Sequence, residues 1–213
     1  MSIEKYVSVD VKMFEFKKYI SKKLWISFYN QINEIISLEP GSILEIGVGT
    51  GTVGMILKDL IHLDYESMDI EKGLNPDHVG SVIDMPFIDK KYDVVACFQV
   101  LEHLPYEKFE KALSEMFRVA KKSVIISLPN IGKVSRLHIP RICKMKLINV
   151  PFAKIAKHEF DGKHYWEMNT KGYEQKKVMQ KMNDISNKYH FKLTKEYREW
   201  FNPYHHFFVF TIK

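Results

Sequence analysis

An acid stands two positions ahead of three alternating glycines in Ile43-Leu44-Glu45-Ile46-Gly47-Val48-Gly49-Thr50-Gly51-Thr52. Glycine turns the chain at positive φ and lets backbone N–H groups meet a ligand with no Cβ between them. An apolar strand before such a loop and a helix N-terminus after it form a cradle for a nucleotide-containing ligand. Val53, Ile56, Leu57, Leu60 and Ile61 supply the helical stripe behind the loop. Gly49-Thr50-Gly51-Thr52-Val53-Gly54 also reads as GxGxxG, with Asp69 twenty residues beyond Gly49, the spacing of a dinucleotide fingerprint. The glycines alone leave both readings open. Histidines fall at three further places: His103 directly after the apolar run Tyr92 to Phe98, His164 in His164-Tyr165-Trp166-Glu167, and His205 beside His206 near the end. Imidazole titrates near neutral pH, so each is a candidate general base.

Glu45 decides between the two glycine readings. E-x-G-x-G-x-G resembles motif I of the class I S-adenosylmethionine-dependent methyltransferases, whereas dinucleotide folds usually run apolar directly into the first glycine. His62 to Asp69 is similar to that family's second strand, which implies that Asp69, followed by Ile70, binds both ribose hydroxyls. Asp84-Met85-Pro86-Phe87 resembles the third motif, which implies that Asp84 accepts from the adenine amino group and the Met85 N–H meets the ring. Tyr92 to Leu104 resembles the fourth strand and the Glu-His-Leu turn of small-molecule methyltransferases of this class. The cofactor set so implied is Glu45, Gly47, Gly49, Gly51, Asp69, Ile70, Asp84, Met85 and Gln99, and the cofactor S-adenosylmethionine. The likeness runs from about Ser42 to Asn130.

Methyl transfer from a sulfonium is an in-line displacement in which placement does most of the work. A base matters when the acceptor is a hydroxyl, whose proton must leave as the methyl arrives. His103, His164 and His205 are the catalytic candidates, each set against the alternative of a histidine bonded to backbone. Gln99, Glu102 and His103 resemble the Glu-Glu-His metal set of ubiquinone-pathway O-methyltransferases. Gln99 there replaces a hard anionic ligand, and no metal is expected. Tyr165, Trp166 and Tyr204 are taken as walls of the acceptor site, and Arg136 as a contact for an anionic acceptor.

The basic residues are concentrated. Between Ile131 and Lys171 nine basic residues face three acidic ones, which accounts for the whole net charge of +6. An anionic acceptor, an acidic membrane surface and a solvated face all fit that run. Val134, Leu137, Ile142, Met145 and Leu147 interleave with its charges, although Pro140 argues against one continuous helix. Nucleic acid is not expected as a partner, because no zinc finger, RNP-like strand or base-flipping Asn/Asp-Pro-Pro-Tyr signature is present. The two cysteines, Cys97 and Cys143, form no disulfide framework and suit a reducing cytoplasm.

The chain of 213 residues reads as one domain, 1–213. A helical leader fills 1–40, with helix from about Val11 to Leu38. A cofactor-binding half fills 41–130, a basic substrate cap 131–171, and a helix with a terminal hairpin 172–213. Strands are expected near 43–47, 64–69, 79–83, 92–98 and 123–128, and helices at 52–61 and 106–120. The Asp69 to Val79 connection is too short for a full crossover helix. Asn202-Pro203-Tyr204 should join two antiparallel strands. The fold implied is α/β: a Rossmann-like, doubly wound, seven-stranded, mostly parallel sheet with a terminal hairpin, a helical leader and a cap after strand five. The function implied is methyl transfer to a small molecule, most directly O-methylation of a sugar, sugar nucleotide or phosphorylated metabolite. A quinone or lipid-linked acceptor at a membrane surface, a non-catalytic S-adenosylmethionine-binding regulator and an NAD-dependent oxidoreductase are the alternatives.

Overall fold

Strand β4 (Tyr92–Phe98) is buried along its whole length, and the reason is its place in mid-sheet with both faces covered. Its side chains alternate: Tyr92, Val95 and Cys97 join one core cluster, and Val94, Ala96 and Phe98 the other. The same division runs through β5 (Ala120–Pro129) and β9 (His205–Ile212), where Phe208 and Phe210 pack on one face and Phe207 and Val209 on the opposite one. A sheet apolar on both faces needs helices on both. The computed structural model supplies them and describes residues 11–14, 20–139, 143–150 and 157–213.

The seven strands lie in the order β3-β2-β1-β4-β5-β9-β8, with β1 (Ser42–Ile46), β2 (Asp64–Asp69), β3 (His78–Val79) and β8 (Phe191–Arg198) completing the sheet. Strands β1 to β5 pair in parallel; β9 runs antiparallel between β5 and β8. On one face α1 (Lys22–Ile36) and the short α2 (Thr52–Gly54) pack over β1 and β4. On the other, α3 (Tyr106–Val119) and α4 (Gln175–Lys188) bury Phe109, Leu113, Met116, Val178 and Met182. The apolar stripe of α3 is core packing, at the 3.6-residue period its sequence displays.

Several boundaries differ from the sequence reading. The leader helix begins at Lys22, because the Ser21 hydroxyl accepts from the Leu24 N–H and caps it; Val11–Phe14 is a separate 3₁₀ turn. The third strand shrinks from the expected 79–83 to two residues. A 3₁₀ turn, Lys72–Leu74, fills the short connection before it. After Gly54 the second helix widens into a π-helix, Met55–Leu60, ending with the Ile61 N–H on the Ile56 carbonyl. The basic segment is not helical where it is described. Val134–Ile139 (β6) and Cys143–Asn149 (β7) form a separate two-stranded antiparallel hairpin, as suits the β-branched Val134, Ile139 and Ile148. The leader residues 1–10 and 15–19 and the segment parts 140–142 and 151–156 lie outside the described residues. Among the described residues no helix is long and apolar enough to cross a membrane.

Candidate functional site

Parallel strands point their carboxyl ends at one edge, and there β1, β2 and β4 open into a cavity of about 440 Å³. Gly47 turns out of β1 at φ 87° and donates its N–H to the Met68 carbonyl at 2.9 Å. A Cβ here would sit 2.3 Å from Val100 Cγ2, so Gly47 serves the crossing of two strand ends. Gly49 and Gly51 also have positive φ. Among the described residues, only Phe14, at 3.9 Å, approaches the place of a Cβ on Gly49, and none comes within 4 Å of that on Gly51. Asp69 fastens the loop to β2: its Oδ2 accepts from the Val48 N–H at 2.9 Å and its Oδ1 from the Glu71 N–H at 2.8 Å. Burial holds the Asp69 pKa above the usual carboxylate range despite these bonds.

Glu45 is 3% exposed and accepts a 2.5 Å hydrogen bond from the Tyr65 hydroxyl. Burial pushes its pKa up to about 8; the Tyr65 bond opposes that rise and the Asp69 charge adds to it. Gly54 stands behind the pair. A Cβ on it would lie 2.6 Å from the Tyr65 oxygen, so the last glycine of the loop makes room for the ring that holds Glu45.

Further along the sheet, β4, β9 and the segment before α4 bring the histidines to the same cavity. Gln99 has a positive φ of 55°, and its side chain donates to Ser127 Oγ at 3.2 Å. The 3₁₀ turn Leu101–His103 then carries Glu102 and His103 inward. Glu102 is 0% exposed, and among the described residues neither carboxylate oxygen has a hydrogen-bond partner. Burial pushes its pKa up to about 8, against the pull of His164. His103 donates from Nδ1 to the Lys163 carbonyl at 2.9 Å, and burial lowers its pKa. His164 donates from Nδ1 to Glu167 Oε1 at 3.0 Å. Burial works against its charged form, but the Glu167 bond and the Glu102 charge leave its pKa raised. Tyr204 donates to the same Glu167 oxygen. His205, pushed down to about 4 by burial, meets Ser27 of α1 with Nδ1 2.5 Å from Oγ.

The cavity thus takes in Glu45, Gly47, Gly49, Asp69, Ile70, Gln99, His103, His164, Tyr204 and His205 from the residues read in the sequence. Others named there lie elsewhere. Gly51 caps α2 without lining the cavity. Asp84 is exposed, and a turn bridging Ser81 and Asp84 sends it outward. The Met85 N–H is taken by Glu115 Oε2 at 2.8 Å, in a cluster locked by Arg118. Ser81 and Val82 line the cavity in their stead. Trp166 is fully buried core, its indole N–H on the Leu104 carbonyl and its ring against Phe109 and Tyr106. Tyr165 packs on Phe160 and gives its backbone N–H to the Glu102 carbonyl. Arg136 is exposed on the hairpin and donates to the Trp200 carbonyl. The sequence reading gave no site role to Phe14, Leu24, Phe28 and Gln31 of the leader or to Lys163, and weighed Glu102 only within a metal-set resemblance; all of them line the cavity. For Glu102 and Lys163 the signal was adjacency to His103 and His164.

The family model for the methyltransferase domain matches residues 44–128. Among solved structures, the methyltransferase domain of the bacterial protein CtHen1 superposes with TM-score 0.61 at 14% identity, over 90% of this chain and 99% of that one. The 1,6-didemethyltoxoflavin-N1-methyltransferase of Burkholderia thailandensis, with its acceptor and S-adenosylhomocysteine bound, gives 0.58 at 11% identity, over 95% and 84%. Magnesium protoporphyrin IX methyltransferase of Synechocystis PCC 6803, also with S-adenosylhomocysteine, gives 0.55 at 12%, over 90% and 84%. These are likenesses of fold. An uncharacterised protein of Methanocaldococcus jannaschii is 29% identical over 125 residues, 56% of this chain and 53% of that relative, so the chain spans about half the length of the curated relative it matches.

Proposed function

Taking as premise that residues 44–128 form a class I S-adenosylmethionine-dependent methyltransferase domain, we propose that the chain methylates a hydroxyl of a small polar acceptor: a sugar, sugar nucleotide or phosphorylated metabolite. The observation that carries the reading is the shared cavity, with glycine loop and acids at β1 and β2, and three histidines at β4, β9 and the intervening segment.

S-adenosylmethionine supplies a methyl group on a positively charged sulfur. The residues present suit such a ligand. Glu45 and Asp69 offer carboxyl groups to a cationic, hydroxyl-bearing molecule, and the cavity runs along Gly49, which carries no side chain to intrude on it. Ser81 and Val82 take the place in the site that the sequence reading gave to Asp84 and Met85. Phe14, Leu24 and Phe28 cover the cavity from the leader and exclude water.

The acceptor then falls to the β4 and β9 side. His103 and His164 each donate from Nδ1, to a carbonyl and to a carboxylate, so their Nε2 lone pairs remain to serve a hydroxyl whose proton must leave. Tyr204 and Glu167 hold the His164 ring in place. Lys163 at the rim supports an acceptor carrying negative charge. Fixing the two reactants in line supplies roughly 7–11 kcal/mol in favourable systems, and proton removal about 10²–10⁴-fold.

The test is calorimetric titration with S-adenosylmethionine and, separately, NAD, followed by an acceptor screen that reads S-adenosylhomocysteine release. Micromolar S-adenosylmethionine binding that Asp69→Ala weakens, with turnover on a hydroxylated anion, is the expected result. Binding of NAD alone refutes it, and cofactor binding without turnover on any hydroxyl compound refutes the acceptor class.

A further inference from the structure

The cavity is small for what the proposed reaction asks of it. Its volume of about 440 Å³ lies near the lower end of the roughly 300–1,000 Å³ in which a pocket holds one small-molecule ligand, and methyl transfer brings two together. With the methyl donor inside, an acceptor larger than a single ring must leave most of itself at the rim. On the histidine side that rim is the turn 158–164, from which Lys163 and His164 reach the cavity.

The turn is tied to itself and to the sheet. His158 donates from Nε2 to the His164 carbonyl at 2.8 Å and closes it, and Asp161 Oδ1 accepts from the Lys163 N–H at 2.9 Å and the His164 N–H at 2.8 Å. His103 Nδ1 donates to the Lys163 carbonyl, and the Tyr165 N–H to the Glu102 carbonyl, so the turn is fixed to the end of β4. Two of its side chains remain open to a ligand. Among the described residues Lys163 is the one lysine or arginine that lines the cavity, and its ammonium has no hydrogen-bond or ion-pair partner there. Phe160 is 54% exposed; its ring packs on Tyr165, at 4.6 Å between centroids, and the remainder meets solvent. The neighbouring acids are occupied, Glu159 by Lys157 and Asp161 by the backbone of the turn.

We propose that the turn 158–164 is an outer acceptor subsite for a nucleoside diphosphate, with the base stacked on Phe160 and the diphosphate at Lys163, so that the sugar it carries enters the cavity. The proposal rests on the methyl-transfer reading for what happens to that sugar, and it narrows the acceptor to a sugar nucleotide. The order of parts along such a ligand matches the order along the turn. Phe160 and Lys163 are exposed, and His164, next in the chain, is half-buried in the cavity. Every base has an aromatic face that a phenyl ring can stack on, and a diphosphate suits a compact ammonium. A phosphorylated metabolite without a base would use the lysine alone, and a free sugar would leave that charge unanswered.

Calorimetry on the full chain, with and without S-adenosylhomocysteine, tests this with inorganic pyrophosphate and the diphosphates of uridine, thymidine, cytidine, adenosine and guanosine as probes. At least one nucleotide should bind more tightly than pyrophosphate by about five- to hundredfold, the worth of one base on one aromatic ring. Phe160→Ala should erase that margin and leave pyrophosphate binding unchanged, Phe160→Trp should keep it, and Lys163→Ala should weaken nucleotide and pyrophosphate by a common factor. Circular dichroism checks that each variant is folded, which the exposure of Phe160 and Lys163 favours. The subsite is overturned if no nucleotide binds, if pyrophosphate binds as tightly as all five, or if the margin survives Phe160→Ala. S-adenosylmethionine is titrated into the same protein. Its binding without that of any nucleotide sinks the subsite and leaves the methyl-transfer reading standing; nucleotide binding with the expected variant pattern, but without S-adenosylmethionine binding, does the reverse.

Discussion

Glu45→Gln should change how the stability of this protein depends on pH, and its direction follows from one buried carboxyl. Glu45 has an ordinary pKa of 4.5 in the unfolded chain and about 8 in the fold, where burial disfavours its anion. Between those values the unfolded chain sheds a proton that the folded chain keeps. The stability that Glu45 allows is therefore fully present below pH 4.5 and is lost as pH rises through 8. At about 1.4 kcal/mol per pH unit, moving from pH 4.5 to 7 costs about 3 kcal/mol. Glutamine has no proton to lose, and its carbonyl can still accept from the Tyr65 hydroxyl, so the variant lacks this slope. Urea unfolding of both proteins at half-unit steps from pH 4.5 to 8 reads it, with the variant gaining about 3 kcal/mol on wild type by pH 7. Glu102 carries a shift of the same kind but is common to both proteins and cancels in the difference. A difference that stays flat across this range would refute the reasoning, because it would mean that Glu45 ionises in the fold as it does in water.

Three further outcomes are expected. Gly54→Ala drives a methyl group against the Tyr65 ring, with the hydroxyl 2.6 Å away, and should cost about 1–3 kcal/mol in urea unfolding and weaken S-adenosylmethionine binding in calorimetry. Trp166→Ala should lose about 3–5 kcal/mol by the same measurement, since Trp166 is 0% exposed and packed among Phe109, Tyr106 and Tyr173; a merely substrate-lining tryptophan would lose little stability. Ser27→Ala removes the partner of His205 and should lower turnover roughly three- to tenfold, the worth of one hydrogen bond of about 0.5–1.5 kcal/mol, with S-adenosylmethionine affinity held within error.

What the sequence made legible was what repeats. The stripe Phe109, Ala112, Leu113, Met116 and Phe117 announces α3, and the apolar run Val94 to Phe98 of β4 announces a strand covered on both faces. The Glu45 to Gly51 loop was legible because glycine and a buried acid are rare together before a helix. Orientation was not legible. Asp84 and Ser81 lie three residues apart in a stretch without period, and only the bridge between them decides that Ser81 faces the cavity and Asp84 faces outward. Trp166 and His164 are two residues apart in one aromatic cluster. Their separation into core and site depends on α3, which offers Phe109 to the indole, and on Glu167, which claims the imidazole. Glu102 looked like part of a turn because sequence carries no sign of whether a carboxylate will find a partner. The hairpin β6–β7 was obscured by its charges, and the reading left the segment as a basic cap with no strands assigned to it.

The position of β9 bears on how the site comes into being. It follows every other strand in sequence and yet sits inside the sheet, hydrogen-bonded to β5 on one side and β8 on the other. During synthesis β8 has no neighbour to pair with until β9 arrives, and Ser27 waits 178 residues for His205. Such distant pairing is slow to form. The glycine loop and Asp69 can assemble on a growing chain, whereas His205 reaches the cavity only when the last strand slots home. A half-made protein would hold the glycine-loop side of its cavity without His205.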